Sequence, residues 1–523
     1  MDPNKTILVS DAAQMLATSA TGELSDEAYG QALWSDQLIE QSGIPITDVP
    51  FVSVGGGLGS FALVDLLRIA GVPANDMAVL TTLDRPSDTY ELLADNSQIP
   101  RDARLRSDSS SVMDNVWGWP GYALREAWAD KSVSAAWQVL TEPVLSEFYT
   151  PKAGQVFESV DRETARIGWS QMISRGIVRT IRRRDGGGYF VIQTPPKGES
   201  ATRRRAFRCS FVHVAVGYPG IALLPDLQEY RQRTGDRVRV VNSYERHDHV
   251  YEELRRRPST VLIRGSGIVA SRVLQRLIDD RDHHGAQTRI LHLFRNYVGG
   301  PQGEDPKFKR FGENGFAYQA FNYPKAAWGG QLRDRLEGLE GDERAQLIDA
   351  MGGTNTAYRS DWQAQLKRGL SEGFYSQAAG KVTGVEPNAD GTGLVTNITT
   401  SAGLNQQLDT NFIIDATGLL ADIRKHRLLS DLLDYVGANT NPKGRLDVEP
   451  SFEVRGTQHG PGRLYASGSI TLGGYYAGVD SFLGLQYAAL QIADDLAGAG
   501  FGKAINPFRS ASQWLRWARN QTP

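Results

Sequence analysis

Two stretches of the chain repeat one pattern of apolar and polar positions. In each, a short β-branched run leads into closely spaced glycines and then into apolar residues at helical spacing. The first reads "FVSVGGGLGSFALVDLLRIA", Phe51 to Ala70. Val52 and Val54 predict a buried strand, and Phe61, Leu63, Leu66, Leu67 and Ala70 mark one helix face. The second reads "STVLIRGSGIVASRVLQRLIDD" from Ser259. Here Val261, Leu262 and Ile263 predict the strand, and Val269, Val273, Leu274 and Leu277 the helix. A further strand is predicted after each helix: "MAVLTTLD", Met77 to Asp84, after the first, and "TRILHLFRN", ending at Arg295, after the second.

The glycines say what the turns are for. Gly55, Gly57 and Ser60 fit G-x-G-x-x-G with a small third residue, Gly59 thins the loop further, and Gly265, Gly267 and Ala270 repeat the fit. The first glycine permits the turn, the second lets a pyrophosphate approach the backbone, and the third position lets helix pack on strand. The helix N-terminus then offers free N–H groups to an anion. Two such units in this order predict two dinucleotide sites. An acidic residue about 20 residues on would hold a ribose hydroxyl. The first unit has Thr81 there, with Asp84 a few residues late. The second has Arg295, suited to a 2′-phosphate, with Arg264 and Arg272 flanking the loop.

Other apolar strands complete the picture. "FVHVAVGYPG" and "NFIIDATGLL" both end in A-x-G, so Gly217 and Gly418 turn the chain at the edge of a nucleotide domain. "GRLYASGSITLGGYYAGVDSFLGLQYAALQIADDLAG" predicts a strand, a turn at Gly468 and Ser469, and a long helix from near Phe482, with Leu483 in its first turn. That helix aims the positive end of its dipole at developing negative charge. Between Tyr297 and Gln377 lies an insertion with Phe311, Phe316, Tyr318, Phe321, Tyr323 and Trp328, either a lid or a structural insert.

Composition narrows the class. The chain has 523 residues, enough for two or three domains, and its 40% apolar and 22% charged residues are those of a globular protein. A net charge of −3 argues against nucleic acid or an anionic membrane as partner. The single cysteine, Cys209, rules out an intrachain disulfide or CxxC pair and points to a reducing cytoplasm. The N-terminus reads as no signal peptide, and no apolar run approaches the ~20 residues of a membrane helix. His247, His249, His283 and His284 lack partners at ligand spacing, so no metal is expected.

Taken together the motifs resemble the class B flavin-dependent monooxygenases, the flavin-containing, Baeyer–Villiger and N-hydroxylating group. The resemblance covers roughly residues 50 to 500. Ahead of the second loop, "VNSYERHDHVY" is similar to the group's F-x-G-x-x-x-H-x-x-x-[FYW]: it keeps His247 and the aromatic Tyr251, with Val241 and Ser243 in place of Phe and Gly. It departs at Thr81 and at Ser469, where relatives have an acid on the ribityl chain. The resemblance implies an α/β fold of two Rossmann-like domains, the NAD(P) domain inserted in the FAD domain. The boundaries expected are an N-terminal helical extension over 1–44, containing Tyr29, Leu33, Trp34 and Leu38, then FAD-binding 45–235, NAD(P)-binding 236–418 with the insertion at about 297–377, and FAD-binding 419–523. It implies FAD at the first loop and NADPH at the second. It also implies dioxygen and a small organic substrate, a flavin C4a-peroxide as oxygenating species, and a role for His247 in coupling domain position to cofactor binding. Two other readings share every motif: a reductase passing electrons to a protein partner, and a flavoprotein-fold binding module without turnover. Substrate identity and oligomeric state are not written in the sequence.

Overall fold

The structure is a computed structural model that describes residues 22–105, 121–141, 149–198, 203–294, 331–351, 360–400, 402–476 and 478–523. Among the described residues, ten strands build two parallel sheets. In chain order they are β1 (Phe51–Val54), β2 (Met77–Thr81), β3 (Ile173–Arg175), β4 (Phe211–Val214), β5 (Val240–Asn242), β6 (Ser259–Arg264), β7 (Thr288–Phe294), β8 (Tyr375–Ala379), β9 (Phe412–Asp415) and β10 (Arg463–Ala466). The first sheet runs β10-β4-β1-β2-β3 and the second β5-β9-β6-β7-β8. Every neighbouring pair is parallel. All of the second sheet therefore lies, in chain order, between β4 and β10 of the first.

Burial explains the apolar runs. All four residues of β1, β4 and β9 are buried, as befits strands covered on both faces. In register, Val54 faces Leu80 on one side and Val214 on the other, so the carboxyl ends of β1, β2 and β4 finish together. The crevice beyond those ends is where parallel α/β sheets hold ligands. Helix α1 (Leu58–Ile69) follows β1, α2 (Ile268–His284) follows β6, and α3 (Phe482–Gly498) follows β10 and packs along α1.

Several elements differ from the sequence reading. Strand β2 stops at Thr81, short of Asp84. In the N-terminal segment, Leu33–Trp34 is a strand between two short helices and pairs with Arg183 and Arg184. The physical reason is Trp34. Its ring is fully buried with its indole N–H donating to Ala28 O at 2.8 Å, which leaves Leu33 half exposed. The segment read as one insertion ends in core elements of the second unit. Helix Ser360–Ser371 buries Trp362 and Leu366 in the core that also holds Val261 and Val273, and leads into β8. Full burial of such side chains stabilises by about 1.5–3 kcal/mol each. Ahead of it, Arg333 and Arg344 stack on Tyr487 and Tyr475 of the first unit. The insertion aromatics from Phe311 to Trp328 lie outside the described residues.

Candidate functional site

The first glycine loop opens a cavity of about 590 Å³ at the carboxyl end of the first sheet. Gly55 holds a φ of 98°, and a Cβ there would overlap the carbonyl oxygen of Ala215. Gly265 repeats this in the second unit, with a φ of 120° and Ala416 beneath it. So the alanine of each A-x-G segment lies under the first glycine of each loop, and Gly217 and Gly418 close both segments with positive φ. Just beyond, Gly220–Ile221 and Leu419–Leu420 pair antiparallel, joining the two exits from the sheets.

Gly57 is different. A Cβ there meets nothing within 4 Å, so the space beside it is free for a ligand. Helix α1 starts at Gly57 and α2 at Gly267, both without a side-chain cap. Their first N–H groups are therefore free for phosphate oxygens. Helix α3, by contrast, is capped by Ser481, which accepts from Gly484 N.

The sequence-predicted residues divide by position. Gly55, Gly57, Gly59, Gly217, Gly468 and Ser469 line the cavity. Ser60 is buried one layer down. Leu483 is buried inside α3, where Leu485 lines the cavity instead. Asp84 is exposed, paired with Arg175, and is not part of the cavity wall. Thr81 is buried at the end of β2, where it packs against Gly56 so closely that a Cβ on Gly56 would overlap it. In the second unit Ala270 is buried. Arg264 is buried and ion-paired with Asp226, while Asp415 beside it accepts from Leu224 N and from both Thr417 groups. Arg295 lies outside the described residues. His247 does not line the cavity. Its Nδ1 donates to Glu245 O at 2.7 Å, because a carbonyl can only accept, and its Nε2 accepts from Tyr251 at 3.0 Å. Burial holds its pKa below the usual imidazole value.

Beneath the loop runs a buried polar chain. Ser60 donates to Gly55 O at 2.5 Å, and Ser53 donates to Ser60 at 2.9 Å. Ser53 then has only its lone pairs left for His213 Nδ1 at 3.0 Å, so Nδ1 carries the proton and Nε2 accepts from Ser467 at 2.9 Å. Burial pushes His213 down to about 3, so this imidazole is neutral. In the second unit His292 supports the loop. His292 Nε2 donates to Gly265 O at 2.5 Å while Nδ1 accepts from Tyr375 at 2.9 Å.

The wall of the cavity also holds residues that the motifs did not single out. The Tyr218 hydroxyl donates to Asp480 at 2.6 Å, and burial together with that carboxylate raises the phenol pKa. His426 has a buried Nδ1 without a partner, and burial lowers its pKa. Their signal was positional: Tyr218 follows the A-x-G turn and Asp480 precedes the cap of α3, both beyond strand ends. Among the described lining residues Asp480 is the one carboxylate, and no Lys or Arg is present. A pyrophosphate here would meet backbone N–H groups and a helix dipole rather than side-chain cations.

These observations fit FAD. The open approach at Gly57, the uncapped α1 and the buried, unpartnered Ser469 Oγ all point at one polar ligand. Behind Gly265, the uncapped N-terminus of α2 is free for a second dinucleotide. Among the described residues no helix is long and apolar enough to cross a membrane.

The fold is that of the two-domain flavoproteins of the FAD/NADPH type, and its structural neighbours are class B flavin-dependent N-hydroxylating monooxygenases. An ornithine hydroxylase from Pseudomonas aeruginosa is 17% identical, covers 87% of this chain and 100% of its own, and has a TM-score of 0.57. A cadaverine monooxygenase from Erwinia amylovora, solved bound to FAD, is 13% identical over 88% of this chain and 96% of its own, with a TM-score of 0.64. An ornithine N-hydroxylase from Kutzneria sp. 744, solved with FAD, NADP+ and L-ornithine, is 14% identical over 87% and 100%, with a TM-score of 0.58. At these identities the likeness is one of fold. No protein-family model and no curated protein sequence matches the chain.

Proposed function

We propose that this chain is an FAD- and NADPH-dependent monooxygenase that hydroxylates the amino nitrogen of a small amine. The observation that carries the reading is the pair of glycine loops, one opening a cavity with an unpartnered Ser469 hydroxyl, on a fold shared with amine monooxygenases. In this reading residues 45–235 and 419–523 form the FAD unit and 236–418 the NADPH unit. Gly55, Gly57, Gly59, Gly217, Gly468 and Ser469 hold FAD, with Ser60 bracing the loop beneath them. Gly265, Gly267, Ala270, Gly418 and Arg295 hold NADPH, with Arg295 on the 2′-phosphate. The protein works in the cytoplasm on a freely diffusing substrate.

When bound, NADPH supplies a hydride to FAD, and the reduced flavin lets dioxygen give one oxygen atom to the amine and the other to water. The balance is amine, dioxygen, NADPH and a proton going to hydroxylamine, water and NADP+. The chain's own residues bind, orient and exclude water. Tyr218 and Asp480 place a hydrogen-bonded acid–base pair in the wall, and His426 adds a buried, unpartnered Nδ1. The test is the absorption spectrum of the purified protein before and after anaerobic NADPH. A flavin band that bleaches with NADPH supports the reading. A colourless protein that takes up no FAD favours the binding-module alternative.

A further inference from the structure

Helix Asp88–Asn96 contributes Thr89, Tyr90 and Leu93 to the wall of the first cavity. It ends in a turn where Gln98 N donates to Asp95 O and Ile99 N to Ala94 O. That pattern closes a helix on a left-handed residue, a place glycine usually takes. Here the residue is Gln98, with a φ of 62° and only 7% exposed. A left-handed residue other than glycine is strained, and it persists where the surroundings over-determine it.

Those surroundings belong to the other unit. Arg272 donates to Gln98 O at 3.0 Å and Arg276 to Gln98 Oε1 at 2.8 Å, both from α2, the helix that opens at the second glycine loop. Gln98 Nε2 braces the turn by donating to Asn96 O at 3.1 Å. Asn96 Nδ2 in turn donates to Tyr244 O at 2.8 Å, a further bond between the units. Arg276 also lies over the Tyr251 ring at 5.0 Å, and Tyr251 holds His247. One side chain thus ties the wall of the first cavity to the helix of the second loop.

We infer that Gln98 is a positioning residue whose side-chain amide fixes the angle at which the second nucleotide unit faces the first cavity. A glycine would close the helix without strain. Glutamine is there because its amide reaches Arg276. The kinetic consequence rests on the two-cofactor reading above, and the mechanical one on the geometry alone.

The experiment uses the full chain, with Gln98→Gly and Gln98→Glu. Glycine keeps the backbone carbonyl and relieves the strain but removes the amide. Glutamate keeps an acceptor for Arg276. Three quantities are read: the thermal midpoint with flavin content, amide hydrogen exchange over residues 95–99 and 268–276, and the anaerobic rate of flavin reduction at saturating NADPH. For Gln98→Gly the midpoint and flavin content hold, exchange in both segments rises about threefold or more, and reduction slows about tenfold, the scale of a small misplacement of reacting groups. Gln98→Glu restores both. A glycine variant that exchanges and reduces like the parent overturns the inference. So does one that loses midpoint and flavin together without recovery in Gln98→Glu, since Gln98 is then only a helix cap. If NADPH reduces neither parent nor variants while exchange still rises and recovers, the cofactor reading falls and the latch stands.

Discussion

The hydroxyl of Ser60 donates to the carbonyl oxygen of Gly55 at 2.5 Å. The bond links the two ends of the glycine loop, so the turn is braced by a buried side chain. His292 holds Gly265 the same way in the second unit. The third fingerprint position thus serves packing at Ala270, and packing plus a hydrogen bond at Ser60. Ser60→Ala should leave the Gly55 carbonyl unpartnered and weaken FAD binding about three- to tenfold, in line with about 0.5–1.5 kcal/mol per hydrogen bond. Titration of flavin-free protein with FAD measures it.

Gly55 and Gly57 should fail in different ways. Gly55→Ala forces a side chain into a left-handed backbone and against Ala215, and should destabilise the protein by roughly 2–4 kcal/mol. Gly57→Leu enters open space at an ordinary extended backbone, so the flavin-free midpoint should barely move while flavin content collapses. Thermal melts beside the flavin absorbance of the same samples separate the two. Equal flavin content in Gly57→Leu and the parent would remove FAD from the first loop.

Two buried histidines set a pH dependence. Burial pushes His213 to about 3 and His292 to about 4, against about 6.5 in the unfolded chain. Between those values the unfolded chain binds protons that the folded chain refuses. Stability is therefore complete above about pH 6.5 and falls as the pH drops toward 4, by about 1.4 kcal/mol per pH unit for each histidine. Burial moves His247 and His426 the same way. Thermal midpoints from pH 7 to 4.5 should slope downward, and His292→Gln, which can still donate to Gly265, should slope less. An unchanged slope would mean His292 is charged in the fold.

The glycine loops, both A-x-G strands and the alternation of the two units were legible in the sequence because each is a local pattern of sterics and burial. What was not legible depends on residues far apart in the chain. Thr81 against Gly56, Ala215 under Gly55 and the serine–histidine chain through His213 are contacts between strands. Asp84 looked like a late ribose ligand, but the strand stops at Thr81 and Arg175 takes the carboxylate. Trp362 and Leu366 read as part of an insertion because only the tertiary structure shows that they belong to the core of the second unit. Gln98 carried no signal at all, since nothing local marks a glutamine that occupies a glycine's place.

Nucleotide preference should follow from which arginine is committed. Arg264 is paired with Asp226 and Arg272 bonds Gln98 O, and in the proposed reading Arg295 meets the 2′-phosphate. Charge-assisted bonds of roughly 1.5–3 kcal/mol predict a ten- to hundredfold preference for NADPH over NADH. Arg295→Ala should erase most of it, read as the concentration of each nucleotide that half-saturates flavin reduction.

In the proposed reaction an oxygen atom from dioxygen ends on an amine nitrogen. Incubation of the FAD-loaded protein with NADPH, ¹⁸O-labelled dioxygen and each of ornithine, lysine and cadaverine, followed by mass spectrometry, measures it most directly. A hydroxylamine carrying one labelled atom is expected, formed one for one with NADPH consumed. NADPH oxidation with every oxygen recovered as hydrogen peroxide, and no labelled product from any amine, would contradict it.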